Sequence, residues 1–257
     1  MHNKLYTSCK SLGLIGKPLS QSFSKQYFEK KFETMNQTGY RYDNIELDSL
    51  DSLRDTVDKL CLDGFNVTHP YKMEIISLLD DLDDTARQIG AVNTVKVDRS
   101  GRITTLTGYN TDAPAFALTL QETEFDIHNS KALILGTGGA SCAVAWVLDD
   151  LGIDYLFVSR NPKASNQISY DEAYKMAVER TLIINATPVG MGSLKGSSPW
   201  ARPEVLTERH LCYDLIYNPE QTVFLQEAAK HGAIIENGLK MLHRQADIAF
   251  DIWTRQH

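Results

Sequence analysis

Short apolar runs of strand length alternate with longer amphipathic stretches along almost the whole chain, and this alternation limits the possible folds more than any other feature. SLGLIG (11–16) reads as a first strand. SFSKQYFEKKFETM (22–35) reads as a helix with Tyr27, Phe28 and Phe32 near one face. YRYDNIEL (40–47) is a second strand, LDSLRDTVDKL (50–60) a helix, GFNVT (64–68) a third strand and YKMEIISLL (71–79) a helix. AVNTVKVD (91–98) and RITTLTG (102–108) read as two strands around a turn at Arg99-Ser100-Gly101. Strands that alternate with helices predict a mostly parallel sheet covered on both faces.

A second series starts near residue 130. KALILG (131–136), DYLFVSR (154–160), TLIINAT (181–187), LCYDLIY (211–217) and AIIEN (233–237) read as strands. ASCAVAWVLDDLG (140–152), VFLQEAAKHG (223–232) and the closing GLKMLHRQADIAFDIWTR (238–255) read as helices. For 257 residues the expectation is α/β, built as two three-layer α/β/α domains. The first would span 1–112, completed by the closing helix 238–257, and the second 113–237. Hinges are expected near 112–114 and 237–240. TPVGMGSLKGSSPWARP (187–203) is rich in glycine, serine and proline and reads as a mobile flap.

Bulk properties exclude several classes. The formal charge of −7, with no lysine/arginine run, argues against a nucleic-acid partner, whose phosphates need clustered positive charge. The longest apolar runs, such as AVAWVL (143–148), are too short to span a bilayer, and the N-terminus has no apolar stretch of signal-peptide length. Cys9, Cys61, Cys142 and Cys212 form no C-x-x-C pair and read as reduced, mostly buried thiols. The seven histidines show no metal-ligand spacing, so no metal is expected. The cytoplasm is the default location.

The clearest cofactor signal is LILGTGGAS (133–141). A strand exits into Gly136-Thr137-Gly138-Gly139 and a helix begins at Ala140. Glycines permit close backbone approach, and a helix N-terminus offers N–H groups and a positive dipole end to a pyrophosphate. The last glycine of the dinucleotide pattern is replaced by Ser141, which is still small. The tip of the next strand, VSRNPK (158–163), places Ser159, Arg160, Asn161 and Lys163 where the adenosine ribose lies in such units. A guanidinium there suits a 2′-phosphate, so NADP is expected over NAD. In the first half, Ser22 and Ser24 flank a helix start. The bland reading, ordinary N-capping, is the stronger one from that stretch alone. Asp112 has a similar bland reading as a cap on the following helix. Lys72, Asn93 and Asp112 all fall at strand ends, where ligands gather in open α/β sheets.

The ordered set of motifs resembles the shikimate dehydrogenase family over nearly the whole chain. Its carriers are G-x-P-x-x-x-S-x-S (Gly16 to Ser24), N-V-T-x-P-x-K (Asn66 to Lys72), G-A-V-N-T (Gly90 to Thr94) and N-T-D (Asn110 to Asp112). They continue with G-T-G-G-A-S (Gly136 to Ser141), S-R-N (159–161), N-A-T-P-x-G-M (Asn185 to Met191), D-L-x-Y-N-P (Asp214 to Pro219) and G-L-x-M-L-x-x-Q-A (Gly238 to Ala246). The resemblance implies a substrate-binding N-terminal domain and a Rossmann-like NADP-binding domain. It implies reversible reduction of 3-dehydroshikimate to shikimate by NADPH. It makes Lys72 and Asp112 the catalytic pair. Ser22, Ser24 and Tyr217 would hold the substrate carboxylate, and Thr68, Asn93 and Gln245 its ring hydroxyls. Gly136, Thr137, Gly138, Gly139 and Ala140 would cradle the pyrophosphate and Arg160 the 2′-phosphate, with Ser159 and Lys163 beside it. Thr187, Gly190, Met191 and Gly238 would border the nicotinamide.

Gln21 and Lys25 stand where the family usually has His and Pro, and Met73 where an acidic residue is common; none of them removes a hydroxyl of the carboxylate site. The alternatives are a paralogue that uses quinate or another cyclic hydroxy acid, perhaps with NAD, and a non-catalytic metabolite-sensing module of the same fold. A monomer or homodimer is expected.

Overall fold

Parallel pairing dominates the computed structural model, which describes residues 9–20, 22–36, 39–101 and 103–255. Gln21, one of the departures noted above, and Arg102, the expected start of a strand, lie outside the described residues. The chain divides into two units, Met1–Thr111 with Ala246–His257, and Asp112–Gln245. These limits sit a residue before the expected first boundary and eight residues past the expected second one.

The first unit holds β1 (Lys10–Gly16), α1 (Ser24–Thr34), β2 (Tyr40–Glu46), α2 (Leu53–Lys59), β3 (Leu62–Val67), β4 (Asp81–Leu82), α3 (Asp84–Ile89), β5 (Thr94–Asp98) and β6 (Thr105–Tyr109). Its sheet runs β2-β1-β3-β5-β6-β4. β1 pairs in parallel with β2 and β3, whereas β5 runs antiparallel to β3 and β6. Leu12, Leu14 and Ile15 of β1 are buried, as a central strand covered on both faces requires. One face carries α1, whose Phe28 stacks on Tyr42 with centroids 4.4 Å apart. The end of the last helix covers the same face. Its Trp253 ring lies where a Cβ on Gly64 would be, 2.3 Å from such an atom, and donates Nε1–H to the Val95 carbonyl at 2.9 Å. Leu53, Val57, Phe65, Ile75 and Val95 build the core of the other face.

The second unit holds α4 (Asp112–Gln121), β7 (Ala132–Leu135), α5 (Gly139–Asp150), β8 (Tyr155–Val158), β9 (Gln167–Ile168), α6 (Tyr170–Met176), β10 (Leu182–Asn185), β11 (Leu211–Asp214), α7 (Val223–Lys230) and β12 (Ile234–Glu236). The first seven residues of α8 (Leu239–Thr254) belong to it, and the rest of that helix to the first unit. The sheet order is β12-β11-β10-β7-β8-β9 with every pair parallel. Counted from β7, this is 3-2-1-4-5-6, the order of a Rossmann sheet, whose direction of winding reverses between β7 and β10. Phe116 of α4 packs edge-on against Tyr213 on one face. Tyr174, Trp200, Phe224 and Leu225 pack with Leu133 and Ile183 on the other.

Four local expectations fail. The run 71–79 is not an α-helix; it carries a 3₁₀ segment, Glu74–Leu78, that starts two residues after Lys72. Adjacent β-branched Ile75 and Ile76 disfavour a regular helix there. The link between β5 and β6 spans 99–104, longer than the expected tight turn. The segment 187–203 is not a loose flap throughout. Trp200 is 2% exposed, its Nε1–H donates to the Arg202 carbonyl, and the Tyr174 hydroxyl accepts the Ala201 N–H. Finally, Cys9 and Cys61 are exposed, not buried, and only Cys212 of the four is fully enclosed. Cys61 sits at φ +49° in the turn from α2 into β3, a position set by backbone geometry and not by burial.

Candidate active site

In the first unit, five of the candidate residues lie on one edge of the sheet, at the carboxyl ends of β1 and β3. Backbone bonds continue past the strands and fix this edge: Thr68 N–H to the Ile15 carbonyl at 2.9 Å, Lys17 N–H to the His69 carbonyl at 3.2 Å, and Val92 N–H to the Lys72 carbonyl at 2.7 Å. The loop after β1 carries Ser22 and Ser24. The loop after β3 carries Thr68 and half-buried Lys72, and the segment entering β5 carries Asn93. A Cβ on Gly16 would lie 2.3 Å from Thr68 Cγ2, so glycine lets the two loops touch. Neither serine is the cap of α1: that position is Phe23, with no side-chain cap bond, and Ser22 Oγ accepts the Ser24 N–H at 3.3 Å. The segment after Lys72 is 3₁₀ from Glu74, so no α-helix begins beside the lysine and no helix dipole acts on it.

Buried amides hold this edge. Asn66, 5% exposed, accepts the Tyr42 hydroxyl at 2.7 Å and donates Nδ2–H to the Asn93 carbonyl and Thr94 Oγ1. Asn93 Oδ1 accepts the Thr111 N–H at 2.7 Å, and its Nδ2–H donates to Thr111 Oγ1 at 2.9 Å. One Asn93 amide hydrogen remains for another acceptor. Asp112 follows Thr111 directly. It is the first residue of α4, not the residue before the helix. Asp112 opens the second unit and Gln245 closes it, so each is one peptide bond from the first unit.

In the second unit most candidates follow the carboxyl ends of β8, β7, β10, β11 and β12, whereas Asp112 begins α4 and Gln245 lies in α8. Gly136 takes φ +105°, a conformation that disfavours any side chain. A Cβ on Gly138 would meet nothing within 4 Å, so the loop is open on that side. Thr137 and Gly138 are exposed, and Gly139 and Ala140 begin α5. Ser141, at the position of the third motif glycine, is fully buried under the loop and its hydroxyl has no hydrogen-bond partner among the described residues. An open glycine turn feeding a twelve-residue helix fits a dinucleotide pyrophosphate. Past β8, Arg160 and Lys163 are exposed and Ser159 Oγ accepts the Asn161 N–H at 3.2 Å. Burial raises the Tyr170 hydroxyl pKa, and the Arg160 charge partly opposes it.

The loop after β10 is fixed by two polar residues, Asn185 and Asp214, that belong to motifs but have no expected role. Asn185 Oδ1 accepts both the N–H and the hydroxyl of Thr187, at 3.0 and 2.7 Å. Its Nδ2 donates to the Val189 carbonyl at 3.2 Å and to Asp214 Oδ1 at 3.0 Å. Asp214 also accepts the Ile216 N–H at 3.0 Å and the Thr222 hydroxyl at 2.6 Å. Burial pushes the Asp214 carboxyl up to about 6 against these donors, which pull it down. Gly190 (φ +117°) packs on Ile216 and Thr222, and a Cβ on Gly238 would lie 2.1 Å from the Leu215 carbonyl oxygen. Tyr217 and Met191 are half-buried. Gln245 turns back on its helix and donates Nε2–H to the Leu242 carbonyl. The missed residues had a signal: Asn66, Asn185 and Asp214 each interrupt an apolar run.

Among the described residues no group of three or more His, Cys, Asp or Glu is placed to hold a metal ion, and no helix is long and apolar enough to cross a membrane.

Residues 14–95 match the shikimate dehydrogenase substrate binding domain. The chain is 37% identical to the shikimate dehydrogenase (NADP(+)) of Caldanaerobacter subterraneus subsp. tengcongensis, over 98% of this chain and 94% of that one. It is also similar to the crystal structure of a chorismate mutase/shikimate 5-dehydrogenase fusion protein from Clostridium acetobutylicum, with TM-score 0.85 and 36% identity over 96% of this chain and 92% of that one. A shikimate 5-dehydrogenase from Thermus thermophilus, solved in complex with NADP(H) and shikimate, gives TM-score 0.82 at 30% identity over 95% and 93%.

Proposed function

We propose the reaction and its residues from one premise: the chain belongs to the shikimate dehydrogenase family. It is an NADP-dependent oxidoreductase acting on a CH–OH group, and it interconverts 3-dehydroshikimate and shikimate on the route to chorismate and the aromatic amino acids. The observation that supports the residue assignments most is that each sheet presents the family's motif residues along one carboxyl edge. The first unit is the substrate side and the second the NADP side. The protein works in the cytoplasm as a monomer or homodimer.

Ser22, Ser24 and Tyr217 hold the substrate carboxylate, and Thr68, Asn93 and Gln245 bind ring hydroxyls. The remaining amide hydrogen of Asn93 suits such an acceptor. On the second unit, residues 136–140 hold the pyrophosphate on the start of α5. Arg160 binds the 2′-phosphate as a bidentate, permanently charged donor, with Ser159 and Lys163 beside it. Thr187, Gly190, Met191 and Gly238 flank the nicotinamide.

Bound NADPH supplies a hydride to the carbonyl carbon. Negative charge then develops on the carbonyl oxygen, and a donor positioned there lowers the barrier. Lys72 as ammonium gives that oxygen its proton, and in the oxidation direction the neutral amine takes it back. Asp112 stabilises the cation and orients it, so the proton belongs to the pair. The atoms balance: one hydride to carbon, one proton to oxygen, one alcohol formed.

The test is absorbance at the reduced-nicotinamide band with purified protein. Shikimate with NADP⁺ is expected to give turnover, with NAD⁺ at least about tenfold less efficient, as expected when one charged 2′-phosphate contact is lost. Turnover with quinate and NAD⁺ but not with shikimate would replace this reading by the paralogue. No turnover with any cyclic hydroxy acid, alongside binding of NADPH, would replace it by a sensing module.

A further inference from the structure

Asp214 is a buried carboxylate that neither the proton transfer nor any substrate or cofactor contact proposed above uses. Its partners set its role. Oδ1 receives the Asn185 amide and the Ile216 N–H, and Oδ2 receives the Thr222 hydroxyl. Asn185 has two amide hydrogens and two acceptor positions, and all four are spent: on Asp214, on the Val189 carbonyl, and twice on Thr187. Thr187 in turn accepts the Val189 N–H at 3.2 Å. The loop 185–189 is thus folded around one side chain, and that side chain is anchored by one carboxylate. Thr222, the other anchor, caps α7 and packs against Gly190 at the far end of the same loop.

We infer that Asp214 is a positioning residue for hydride transfer: through Asn185 and Thr222 it holds both ends of the loop 187–190 against the reacting ring of the cofactor. The inference rests on the proposed function, since that reading places the ring at this loop. A carboxylate suits the task because it accepts from three donors at once and offers none. An amide in its place must turn an NH₂ toward one of those donors. Reacting centres tolerate little misplacement, so a loosened loop slows the chemical step more than it weakens cofactor binding, which the pyrophosphate and 2′-phosphate sites carry separately.

The experiment measures shikimate oxidation by the full chain with ordinary shikimate and with shikimate deuterated at the carbon that gives up the hydride. Asp214→Asn is expected to lower kcat at least tenfold, to change KM for NADP⁺ less than threefold, and to raise the deuterium isotope effect on kcat toward its intrinsic value. A role in folding alone reduces the active fraction and leaves the isotope effect unchanged, and that result overturns the inference, as does an unchanged kcat. If Asp214→Asn does not fold, Thr222→Val decides. It should show the same pattern at about threefold, and Thr222→Ser should restore both kcat and the isotope effect; failure of either overturns the inference. Wild-type protein with no shikimate turnover would sink the proposed function itself, and this inference with it.

Discussion

The two sheets solve the same problem with different materials. Each must hold several loops in fixed positions on one carboxyl edge. The first unit does so with neutral groups, the Tyr42 hydroxyl, the Asn66 and Asn93 amides and the Thr94 and Thr111 hydroxyls, all buried. The second does so with a charge, Asp214, enclosed among three donors. The topologies differ in parallel. The second sheet is wholly parallel and winds in both directions from β7, so its crevice is created by strand order alone. The first has the antiparallel β5 in its middle, which breaks the parallel run and brings the segment before β5 to the edge where β1 and β3 end. The lesson is that strand order places one crevice, whereas a buried polar network must place the other.

The largest expected effect probes the backbone of each unit. Gly238→Ala puts a methyl 2.1 Å from the Leu215 carbonyl oxygen, which is main chain and cannot move aside. The loss should be about 4 kcal/mol, the range of severe overpacking. Gly64→Ala meets the Trp253 ring instead, a side chain that moves only by giving up its bond to the Val95 carbonyl, and should cost less, about 3 kcal/mol. Urea unfolding of both variants checks the ranking, and equal losses would remove the distinction.

Next is pH. The Asp214 carboxyl lies at about 6 in the folded protein against an ordinary 3.8. The native state therefore binds this proton more tightly than the unfolded chain does. Its stabilising contribution is complete below about pH 4 and is lost as pH rises through about 6, a change on the order of 3 kcal/mol. Neutral amides contribute no such slope. Asp214→Asn should flatten the stability difference between pH 4.5 and 7.5, and Asn66→Ala should leave it as in wild type. Identical pH slopes in all three proteins would contradict the division into charged and neutral fastening.

The smallest effect is local. Asn66→Ala strips the Tyr42 hydroxyl of its acceptor and Thr94 of its donor, which should cost about 2 kcal/mol and raise KM for shikimate without altering NADP⁺ affinity. Calorimetric titration of NADP⁺ checks the second half of that statement.

The alternation of strands and helices, the glycine loop after β7 and the arginine past β8 were legible in the sequence because each depends on residues near one another in the chain. The buried networks were not. Asn66 meets Tyr42 across 24 positions and Asp214 meets Asn185 across 29, so the sequence marks them only as polar residues inside apolar runs. The stretch 71–79 misled for the opposite reason. Its apolar spacing is helical, yet Tyr71 is drawn into the core, its hydroxyl bonded to the Leu47 carbonyl at 2.6 Å, and only a 3₁₀ segment follows. Ser22 and Ser24 likewise matched a cap pattern that the helix does not use.

The role given to Lys72 is tested most directly by single-turnover oxidation of shikimate by Lys72→Ala, with the dissociation constant of shikimate measured on the same protein. Loss of the proton acceptor should slow hydride transfer by about 10²- to 10⁴-fold while shikimate binding changes less than tenfold. A hydride-transfer rate within about threefold of wild type would contradict the assignment and require another group to move the proton.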